Sequence, residues 1–325
     1  MNVKVATFNL NNLFSRYNFN AEVEIVSQGD IQLDSQTTIR FAEPISYLFR
    51  SYEGRLVTGK DPAGRQKIAA RITAMNADVL AVQEVEDVGV LHEFALNDLG
   101  GMYPHQVLVE GNDPRLIDVG LLSKLPIGGV TSWKYATHSD APHELVFGRD
   151  LLEVEILDPQ RRRRLFTIYN NHLKSNYARW DMDPEVARRK NGQRRQRQAE
   201  TVARIVEAQM RPDSSYVIVG DMNDTPDSQF LEPLITASGL GLQNALLGAA
   251  ETRPAKRESP PEDTPANPVW TYRHREAGVS TFALYDQIWV SPALADKITG
   301  AWIDRRTLHS GDGSDHDPAW IQLSL

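Results

Sequence analysis

Six short apolar runs, spread along the whole chain, border on polar side chains of the kinds that bind metal ions and phosphate. The runs are residues 3–8, 78–82, 165–169, 216–219, 284–290 and 319–325. Runs of this length are typical of buried strands, and the polar ends of such strands converge at one edge of a sheet. One run alone could be a strand followed by an ordinary turn, because Asn, Asp and Gly are turn residues. Six together predict a sheet protein that assembles one site from distant parts of the sequence.

The last of these runs follows a loop that places a histidine between two carboxylates. Residues 313–319 read Gly-Ser-Asp-His-Asp-Pro-Ala, so His316 lies between Asp315 and Asp317. The histidine offers a proton-transfer group and the carboxylates offer oxygen ligands, at a strand edge where catalytic loops usually lie. Asp-rich glycine loops also bind calcium, although the EF-hand order is not met here. From this loop alone, catalysis and ion binding both remain open.

The polar motifs that border the six runs resemble, in the same order, those of the endonuclease/exonuclease/phosphatase superfamily, which has the deoxyribonuclease-I-like fold. The matching pieces are Phe8-Asn9, Gln83-Glu84, Asn171-His172, Gly220-Asp221-x-Asn223, Asp286 and Ser314-Asp315-His316. They span residues 8–316, so the resemblance covers essentially the whole chain. It implies an α/β (α+β) fold: a four-layer αββα sandwich of two mixed β-sheets packed face to face and flanked by helices, with the site at one rim.

The composition agrees with such a fold and excludes several others. With 325 residues, 41% hydrophobic and 24% charged, the chain can bury a large core as an ordinary soluble protein. No stretch approaches 18 consecutive apolar residues, so no membrane span is expected. The chain has no cysteine, which excludes disulfides and thiolate metal sites. No signal-peptide core follows Met1, so we expect a cytoplasmic monomer, with secretion left open if a leader has been removed.

One domain, residues 1–325, is expected, with two irregular additions. Residues 15–60 contain alternating segments that predict an extra hairpin or a long loop. Residues 251–268 contain five prolines among charged residues, which predicts a mobile surface loop. Asp61 followed by Pro62 is a helix-start signal, because Asp is a good N-cap and proline fits the first helical position. The predicted helices are residues 62–75 and 184–210.

Hard oxygen donors at the predicted rim indicate a metal site. The candidate ligands are Asn9, Asn11, Glu84 and Asp315. Carboxylate and amide oxygens without sulfur suit Mg²⁺ or Mn²⁺ better than Zn²⁺. The resemblance implies that Glu84 is the central ligand. Asn11 stands where many relatives have aspartate, and losing that charge weakens a second metal position. We therefore expect one tightly held ion and leave a second open.

Asp286 and His316 are expected to form a dyad, because a carboxylate fixes the tautomer of an imidazole and raises its basicity. The resemblance implies that His316 acts as a base or as a donor to the scissile phosphate, and that Asp221 accepts a proton from the attacking water. It also implies that Asn223 orients this water or binds a phosphate oxygen, and that His172 contacts the phosphate and assists the leaving oxygen. A Ser-His-Asp hydrolase is the competing use of such a dyad, but the chain has no Gly-x-Ser-x-Gly elbow.

Three further side chains are candidate phosphate contacts. Asn171 precedes His172 within its motif. Arg115 is expected to open a strand that faces the rim, where a guanidinium can clamp a phosphate through two hydrogen bonds. Lys174 would act as a point charge. For Arg115 and Lys174, a plain surface charge is an equally good interpretation.

Charge is distributed unevenly along the chain, although the net charge is −8. Residues 160–211 contain 14 Lys or Arg and 5 Asp or Glu, whereas the rest of the chain contains 21 and 38. An acidic protein lacks the basic footprint of a dedicated nucleic-acid binder, but a local basic surface beside a metal site suits a polyphosphate substrate. The simpler interpretation is that residues 161–164 form a hairpin turn and residues 188–197 a solvated helix face.

The motifs favour a metal-dependent phosphodiesterase that hydrolyses nucleic acid, with DNA favoured over RNA. Asn-His-Leu-Lys-Ser and Gly-Asp-Met-Asn-Asp-Thr-Pro-Asp-Ser are similar to segments of bacterial broad-specificity nucleases in this superfamily. The alternative is a phosphatase or phospholipase that acts on a phosphorylated small molecule or a lipid headgroup. Inositol-polyphosphate phosphatases typically carry Gly-Asp-Leu-Asn-Tyr-Arg and Cys-Asp-Arg, whereas this chain has Asp224-Thr225 and Tyr285-Asp286-Gln287. A non-catalytic binding module would usually have lost metal ligands, and no key position is missing here.

Overall fold

Nineteen strands are present in the computed structural model of the chain, which describes residues 1–14, 20–28, 32–40, 60–176, 182–211, 213–252, 269–276, 279–305 and 313–325. The strands are β1 (Asn2–Leu13), β2 (Asn20–Gln28), β3 (Gln32–Arg40), β4 (Val79–Val85), β5 (His105–Leu108), β6 (Asp118–Ser123), β7 (Ile127–Ser132), β8 (Thr137–His138), β9 (Ala141–Leu145), β10 (Leu152–Leu157), β11 (Arg164–His172), β12 (Tyr216–Asp221), β13 (Gln243–Asn244), β14 (Ala250–Thr252), β15 (Tyr272–Glu276), β16 (Val279–Ala283), β17 (Asp286–Val290), β18 (Ile298–Asp304) and β19 (Ala319–Ser324).

Thirteen of these strands form two large mixed sheets. The first sheet has the order β14-β18-β19-β1-β4-β6-β5, and the second has the order β13-β17-β12-β11-β10-β7. Parallel pairing joins β1 to β4 in the first sheet and β11 to β12 in the second, while most other neighbours are antiparallel. Three two-stranded pairs, β2-β3, β8-β9 and β15-β16, lie outside the two sheets.

The two sheets pack face to face, with helices on both outer faces. The core between them contains alternate side chains from both sheets, such as Val5 and Ala81 from the first and Ile168 and Val219 from the second. The helices are α1 (Pro62–Met75), α2 (Val88–Glu93), α3 (Pro184–Gln209), α4 (Glu232–Ile235) and α5 (Pro292–Ala295). Helices α1 and α2 share an apolar cluster with the outer face of the first sheet, and α3 and α4 share one with the second. The predicted four-layer αββα sandwich is therefore confirmed.

The two long helices begin as their sequences predict. The carboxylate of Asp61 accepts a hydrogen bond from the Gly64 amide at 3.0 Å, with proline at the first position of α1. Asp183 caps α3 in the same way. On α3, the buried apolar side chains are Ala187, Ala199, Val202, Ala203, Ile205 and Val206. Val186, which fits the apolar pattern of the helix, is instead 37% exposed.

The two irregular additions are described only in part. Strands β2 and β3 pair antiparallel, with Asn20 opposite Arg40 and Gln28 opposite Gln32, in the segment where a hairpin or long loop was predicted. In the segment predicted as a mobile loop, residues 251–268, Glu251 and Thr252 belong to β14. Residues 253–268 lie outside the described part of the chain. None of the helices in the described ranges has the length and apolar character needed to cross a membrane.

Candidate active site

Polar residues from both sheets meet at the edge where β1, β4, β11 and β12 end. In the second sheet, Asp221 at the end of β12 pairs in register with His172 on β11 and with Asp286 on β17. In the first sheet, Asn9 pairs with Gln83, the residue before Glu84. Strand β17 begins at this same edge because it runs antiparallel to β12, and the loop before β19 arrives there for the same reason. Six distant segments therefore supply one group of side chains.

The backbone at this edge adopts unusual conformations. Four non-glycine residues have left-handed φ values: Asn11 (47°), Asn12 (59°), Glu84 (62°) and Asn223 (52°). The pairing register also shifts after Asn9 and around Glu84, as it does at β-bulges. Such conformations cost about 1–3 kcal/mol each and persist where the surrounding structure holds them, most often at functional sites. The strain coincides with the predicted motifs.

Asp221 lies at the centre of the group and is buried. Its Oδ2 atom accepts a hydrogen bond from Asn9 Nδ2 at 3.0 Å, and its Oδ1 atom accepts one from the backbone amide of Asn223 at 2.8 Å. The same Oδ2 atom lies 3.4 Å from His172 Nε2 and 3.9 Å from His316 Nε2. Burial raises the pKa of Asp221 to about 7, although the charge of His316 opposes the rise. This carboxyl group can therefore gain or lose a proton near neutral pH.

His316 is held by a short hydrogen bond to Asp286. The distance between His316 Nδ1 and Asp286 Oδ2 is 2.6 Å. The Ser314 hydroxyl accepts a hydrogen bond from the His316 backbone amide at 3.0 Å and donates one to the Asn9 carbonyl at 2.7 Å. Burial acts to lower the pKa of His316, but the carboxylates of Asp286 and Asp221 outweigh it and raise the pKa well above its ordinary value. The ring is therefore an imidazolium at neutral pH, with Nε2 directed toward Asp221.

The pKa of His172 is shifted in the opposite direction from that of His316. Burial lowers the pKa of His172 well below its ordinary value, and the charges of Arg149 and His316 lower it further. Its Nε2 atom faces Asp221 and lies 3.9 Å from Glu84 Oε1. One buried carboxylate is therefore flanked by a neutral imidazole on one side and an imidazolium on the other.

A lysine that the sequence motifs did not identify lies among the candidate metal ligands. Lys60 donates a hydrogen bond from Nζ to the carbonyl oxygen of Asn11. Burial lowers the pKa of Lys60 to about 8, while the nearby charges of Glu84 and Asp315 act to raise it. Lys60 precedes α1 and belongs to no motif, so only the packing of the chain reveals it.

The oxygen donors at this edge fit a hard divalent cation. Glu84 lies with its Oε2 atom 3.0 Å from the Asn12 amide, and Asn9 Oδ1 accepts a hydrogen bond from the Asn11 amide at 2.9 Å. Within the described residues, no three His, Cys, Asp or Glu side chains form a cluster that would hold a metal by themselves. Carboxylate and amide oxygens with few protein ligands suit Mg²⁺ or Mn²⁺, because these ions keep several water ligands. The donor chemistry of Asn9, Glu84 and Asp315 therefore fits such an ion.

Basic side chains border the group next to His172. Arg115 does not open a strand as predicted: it lies three residues before β6, in a tight loop, where its guanidinium binds Asp113 with Nη2 2.9 Å from Oδ2. Arg149, which sequence reasoning missed, also reaches this carboxylate, with Nε 3.1 Å from Oδ2. Lys174 follows His172 by two residues and is partly buried. The loop that contains Arg149 has no motif that would have identified it.

Two predicted contributors lie elsewhere. Asn171 is on the opposite face of β11 from His172, because successive side chains of a strand point to opposite faces. Its Nδ2 atom donates to the Tyr169 carbonyl at 3.1 Å, and Tyr169 packs in the outer layer with α3. Asp317, the second carboxylate beside His316, is buried in an ion pair with Arg71 at 2.9 Å. Neither side chain joins the group around Asp221.

The basic face of α3 is not a uniformly solvated surface. Arg188, Arg189 and Arg194 are exposed, as that interpretation requires. Arg195 is buried, and its Nη2 atom lies 2.7 Å from Asp224 Oδ2 while Nη1 donates to the Lys174 carbonyl at 2.6 Å. Arg195 therefore anchors the segment after His172 to the helix.

Comparisons with known proteins agree with the fold and show the family. The sequence profile of the Endonuclease/Exonuclease/phosphatase family matches residues 6–316. An endonuclease/exonuclease/phosphatase from Bacteroides vulgatus superimposes with a TM-score of 0.58 at 15% identity, covering 100% of this chain and 99% of that one. An AP endonuclease from Archaeoglobus fulgidus gives 0.58 at 15% identity, with 99% and 100% coverage. A mannosyl-6-phosphatase from Bacteroides thetaiotaomicron gives 0.57 at 14% identity, also with 99% and 100% coverage. No curated protein matches the sequence significantly.

Proposed function

We propose that this chain, which belongs to the endonuclease/exonuclease/phosphatase family, is a metal-dependent phosphodiesterase that hydrolyses nucleic acid. Members of this family are phosphoester hydrolases. The observation that supports the proposal most is the position of Asp221, whose Oδ2 atom lies 3.4 Å from His172 Nε2 and 3.9 Å from His316 Nε2. A carboxyl group between two imidazoles of different charge provides both a proton acceptor and proton donors at one point.

Each of these three groups has a role in the proposed reaction. Asp221 accepts the proton of the attacking water, which its pKa of about 7 permits near neutral pH. His316, kept as an imidazolium by Asp286, donates a hydrogen bond to a phosphate oxygen and stabilises the charge that develops there. His172, which is neutral, contacts the phosphate on the other side and assists the leaving oxygen. Asn223 orients the water or binds a phosphate oxygen.

A divalent ion would be held by Glu84, with Asn9, Asn11 and Asp315 as further donors. Mg²⁺ or Mn²⁺ bound there would supply positive charge to the phosphate oxygens. The position of Lys60 beside Glu84 and Asp315 supports a single ion, because its ammonium already supplies positive charge to the same carboxylates.

We favour nucleic acid as the substrate because several basic side chains lie beside His172. They could contact further phosphates, which a small phosphoester does not have. Arg115, Arg149 and Lys174 all lie close enough to His172 for their charges to lower its pKa. Between the two nucleic acids we propose DNA, and the motifs around His172 and Asp221 are similar to those of bacterial broad-specificity nucleases.

A substrate panel tests the proposal. Plasmid, linear duplex DNA, single-stranded DNA, RNA, a chromogenic phosphodiester and a chromogenic phosphomonoester are incubated with the enzyme and with Mg²⁺ or Mn²⁺. We expect cleavage of the phosphodiesters, with DNA as the best substrate. Release of phosphate from the monoester, with every phosphodiester left intact, would instead support a phosphatase that acts on a phosphorylated small molecule or a lipid headgroup.

A further inference from the structure

Four basic side chains form a cluster beside His172, and one of them, Arg149, was not identified from the sequence. The cationic cluster consists of Arg115, Arg149, Lys174 and Arg194. The carboxylate of Asp113 binds two of them, with Oδ2 2.9 Å from Arg115 Nη2 and 3.1 Å from Arg149 Nε. Arg149 is only 4% exposed, so its position is fixed by packing and not by solvent.

The segment that contains Lys174 is held in place by its backbone. Arg149 Nη1 donates to the Leu173 carbonyl at 3.3 Å. Arg195 Nη1 donates to the Lys174 carbonyl, and the Lys174 amide donates to Gln198 Oε1 at 2.8 Å. These hydrogen bonds fix the Lys174 backbone, and its ammonium donates to the Ser175 carbonyl at 3.3 Å.

Arg194 extends the cluster from α3 across to the loop that contains Arg149. A Cβ atom built on Gly148 would have Arg194 Nη2 as its nearest neighbour, at 3.9 Å. The Arg194 guanidinium therefore lies close to Gly148, the residue before Arg149, and Arg194 is exposed on the helix. Across the described residues, Arg194 has no ion pair with a carboxylate.

The cations of the cluster act on one another. Burial lowers the pKa of Lys174 to about 8, and the charges of Arg149, Arg115 and Arg194 lower it further, while Asp113 acts in the opposite direction. The Asp113 carboxylate is itself engaged by Arg115 and Arg149. Such a group favours the binding of an anion, because an anion relieves the repulsion among the cations.

We propose that the cationic cluster binds a second phosphate of the substrate, the one that neighbours the scissile phosphate on the His172 side of the site. The inference rests on the proposed function, since it requires a substrate with more than one phosphate. Arg115 and Arg194 supply planar guanidinium groups, which match two oxygens of a phosphodiester, and Lys174 supplies a point charge between them and His172. The enzyme would then prefer a chain of phosphodiesters over an isolated one.

Thymidine trinucleotides with one neutral linkage test this inference. In each of two trinucleotides, one of the two linkages is a methylphosphonate, so that a single cleavable phosphodiester remains with a neutral neighbour on one side. We expect the wild-type enzyme to lose roughly tenfold in kcat/KM when the neighbour on the cluster side is neutral, as the loss of one charge-assisted hydrogen bond predicts. In Arg194→Ala, the same neutral linkage should lower kcat/KM little further, because the guanidinium that binds this phosphate has already been removed.

Arg189→Ala is the matched control, because Arg189 is exposed on the same helix outside the cluster. It should show the full tenfold penalty for the neutral linkage. An equal penalty in wild type, Arg194→Ala and Arg189→Ala would overturn the inference.

Binding of inorganic pyrophosphate, measured by calorimetry, separates this inference from the proposed function. Arg194→Ala should weaken pyrophosphate binding about tenfold, and Arg189→Ala should not. If the wild type cleaves no phosphodiester of the substrate panel but this difference holds, the nuclease proposal fails and the phosphate site stands. If pyrophosphate binds both variants equally, the phosphate site fails whatever the activity.

Discussion

The His316 ring is fixed by Asp286 at one nitrogen and faces Asp221 with the other, so the effect of each partner can be measured separately. A positioned proton-transfer group contributes roughly 10²–10⁴ in rate. We therefore expect His316→Ala to lower kcat at least about a hundredfold and Asp286→Asn to cause a large part of that loss. Because the two residues act together, the double variant should be little slower than His316→Ala.

The same pair gives a readout that does not depend on turnover. Asp286→Asn removes the charge that raises the pKa of His316, so the pKa followed by NMR should fall. Multiplicative rate losses in the double variant, or an unchanged His316 pKa in Asp286→Asn, would show that the two residues do not form a dyad.

Asp118, at the start of β6, predicts a pH dependence of stability. Burial raises its pKa to about 7, above the ordinary value near 4 that it has in the unfolded chain, while a hydrogen bond from the Gly111 amide at 2.7 Å acts to lower it. Between these values the folded protein binds more protons than the unfolded chain, so stability falls as pH rises from about 4 to 7. The loss should be roughly 1–3 kcal/mol.

Asp118→Asn keeps the oxygen that faces Gly111 but cannot ionise. Urea unfolding at pH 5 and pH 8 should therefore show a smaller difference in unfolding free energy for this variant than for wild type. Some difference should remain, because burial also raises the pKa of Asp150 to about 6. Asp140→Asn, at an exposed position, is the control. The assignment fails if Asp118→Asn and Asp140→Asn respond to pH alike.

At the level of elements, the close approach of β11 and β12 depends on Gly220. Its φ is 129°, and a Cβ atom there would lie 2.0 Å from the Asn171 carbonyl oxygen. Gly220→Ala should therefore lower the unfolding free energy by more than about 3 kcal/mol, since both the conformation and the contact are lost. Gly248→Ala is the control, because Gly248 has φ 80° and open space around it, and it should cost only about 1 kcal/mol. Equal losses in urea unfolding would refute this account.

The elements that the sequence predicts well are those with local signals. Asp61 and Pro62 define the start of α1, and the apolar runs define the central strands, because capping and burial act over a few residues. Residues 251–268 were predicted to be a loop, but Glu251 and Thr252 belong to β14, which is short and pairs with β18 across a large sequence separation. Local patterns cannot show such distant pairing.

The residues of the candidate site also divide into those with local sequence signals and those that depend on distant contacts. Strand-end motifs identified Asp221, His316 and Glu84, because the fold brings the ends of strands together. Lys60 and Arg149 were missed, since their contacts with the site come from packing between segments far apart in sequence. Arg195 was interpreted as part of a solvated helix face. It is instead buried, and it anchors the segment after His172 to α3.

For the molecule as a whole, the site joins the two sheets. The candidate metal ligands Asn9 and Glu84 lie on the first sheet, whereas Asp221 and His172 lie on the second. The hydrogen bond from Asn9 to Asp221 crosses between them, and Asn170 on β11 donates to backbone carbonyls of the first sheet. Binding at this edge should therefore stabilise the packing of the entire sandwich and not a single loop.

A divalent ion should accordingly raise the thermal stability of the whole protein. An ion that binds only the folded state adds about 2.7 kcal/mol at a concentration 100 times its Kd. Adding Mg²⁺ or Mn²⁺ should raise Tm in one cooperative transition, and a chelator should reverse the change and abolish activity. Glu84→Gln should fold but lose both the shift and nearly all activity, whereas Glu93→Gln, in a half-exposed surface ion pair, should keep both. Full turnover in excess chelator, or an equal Tm shift in Glu84→Gln and wild type, would exclude a metal bound at Glu84.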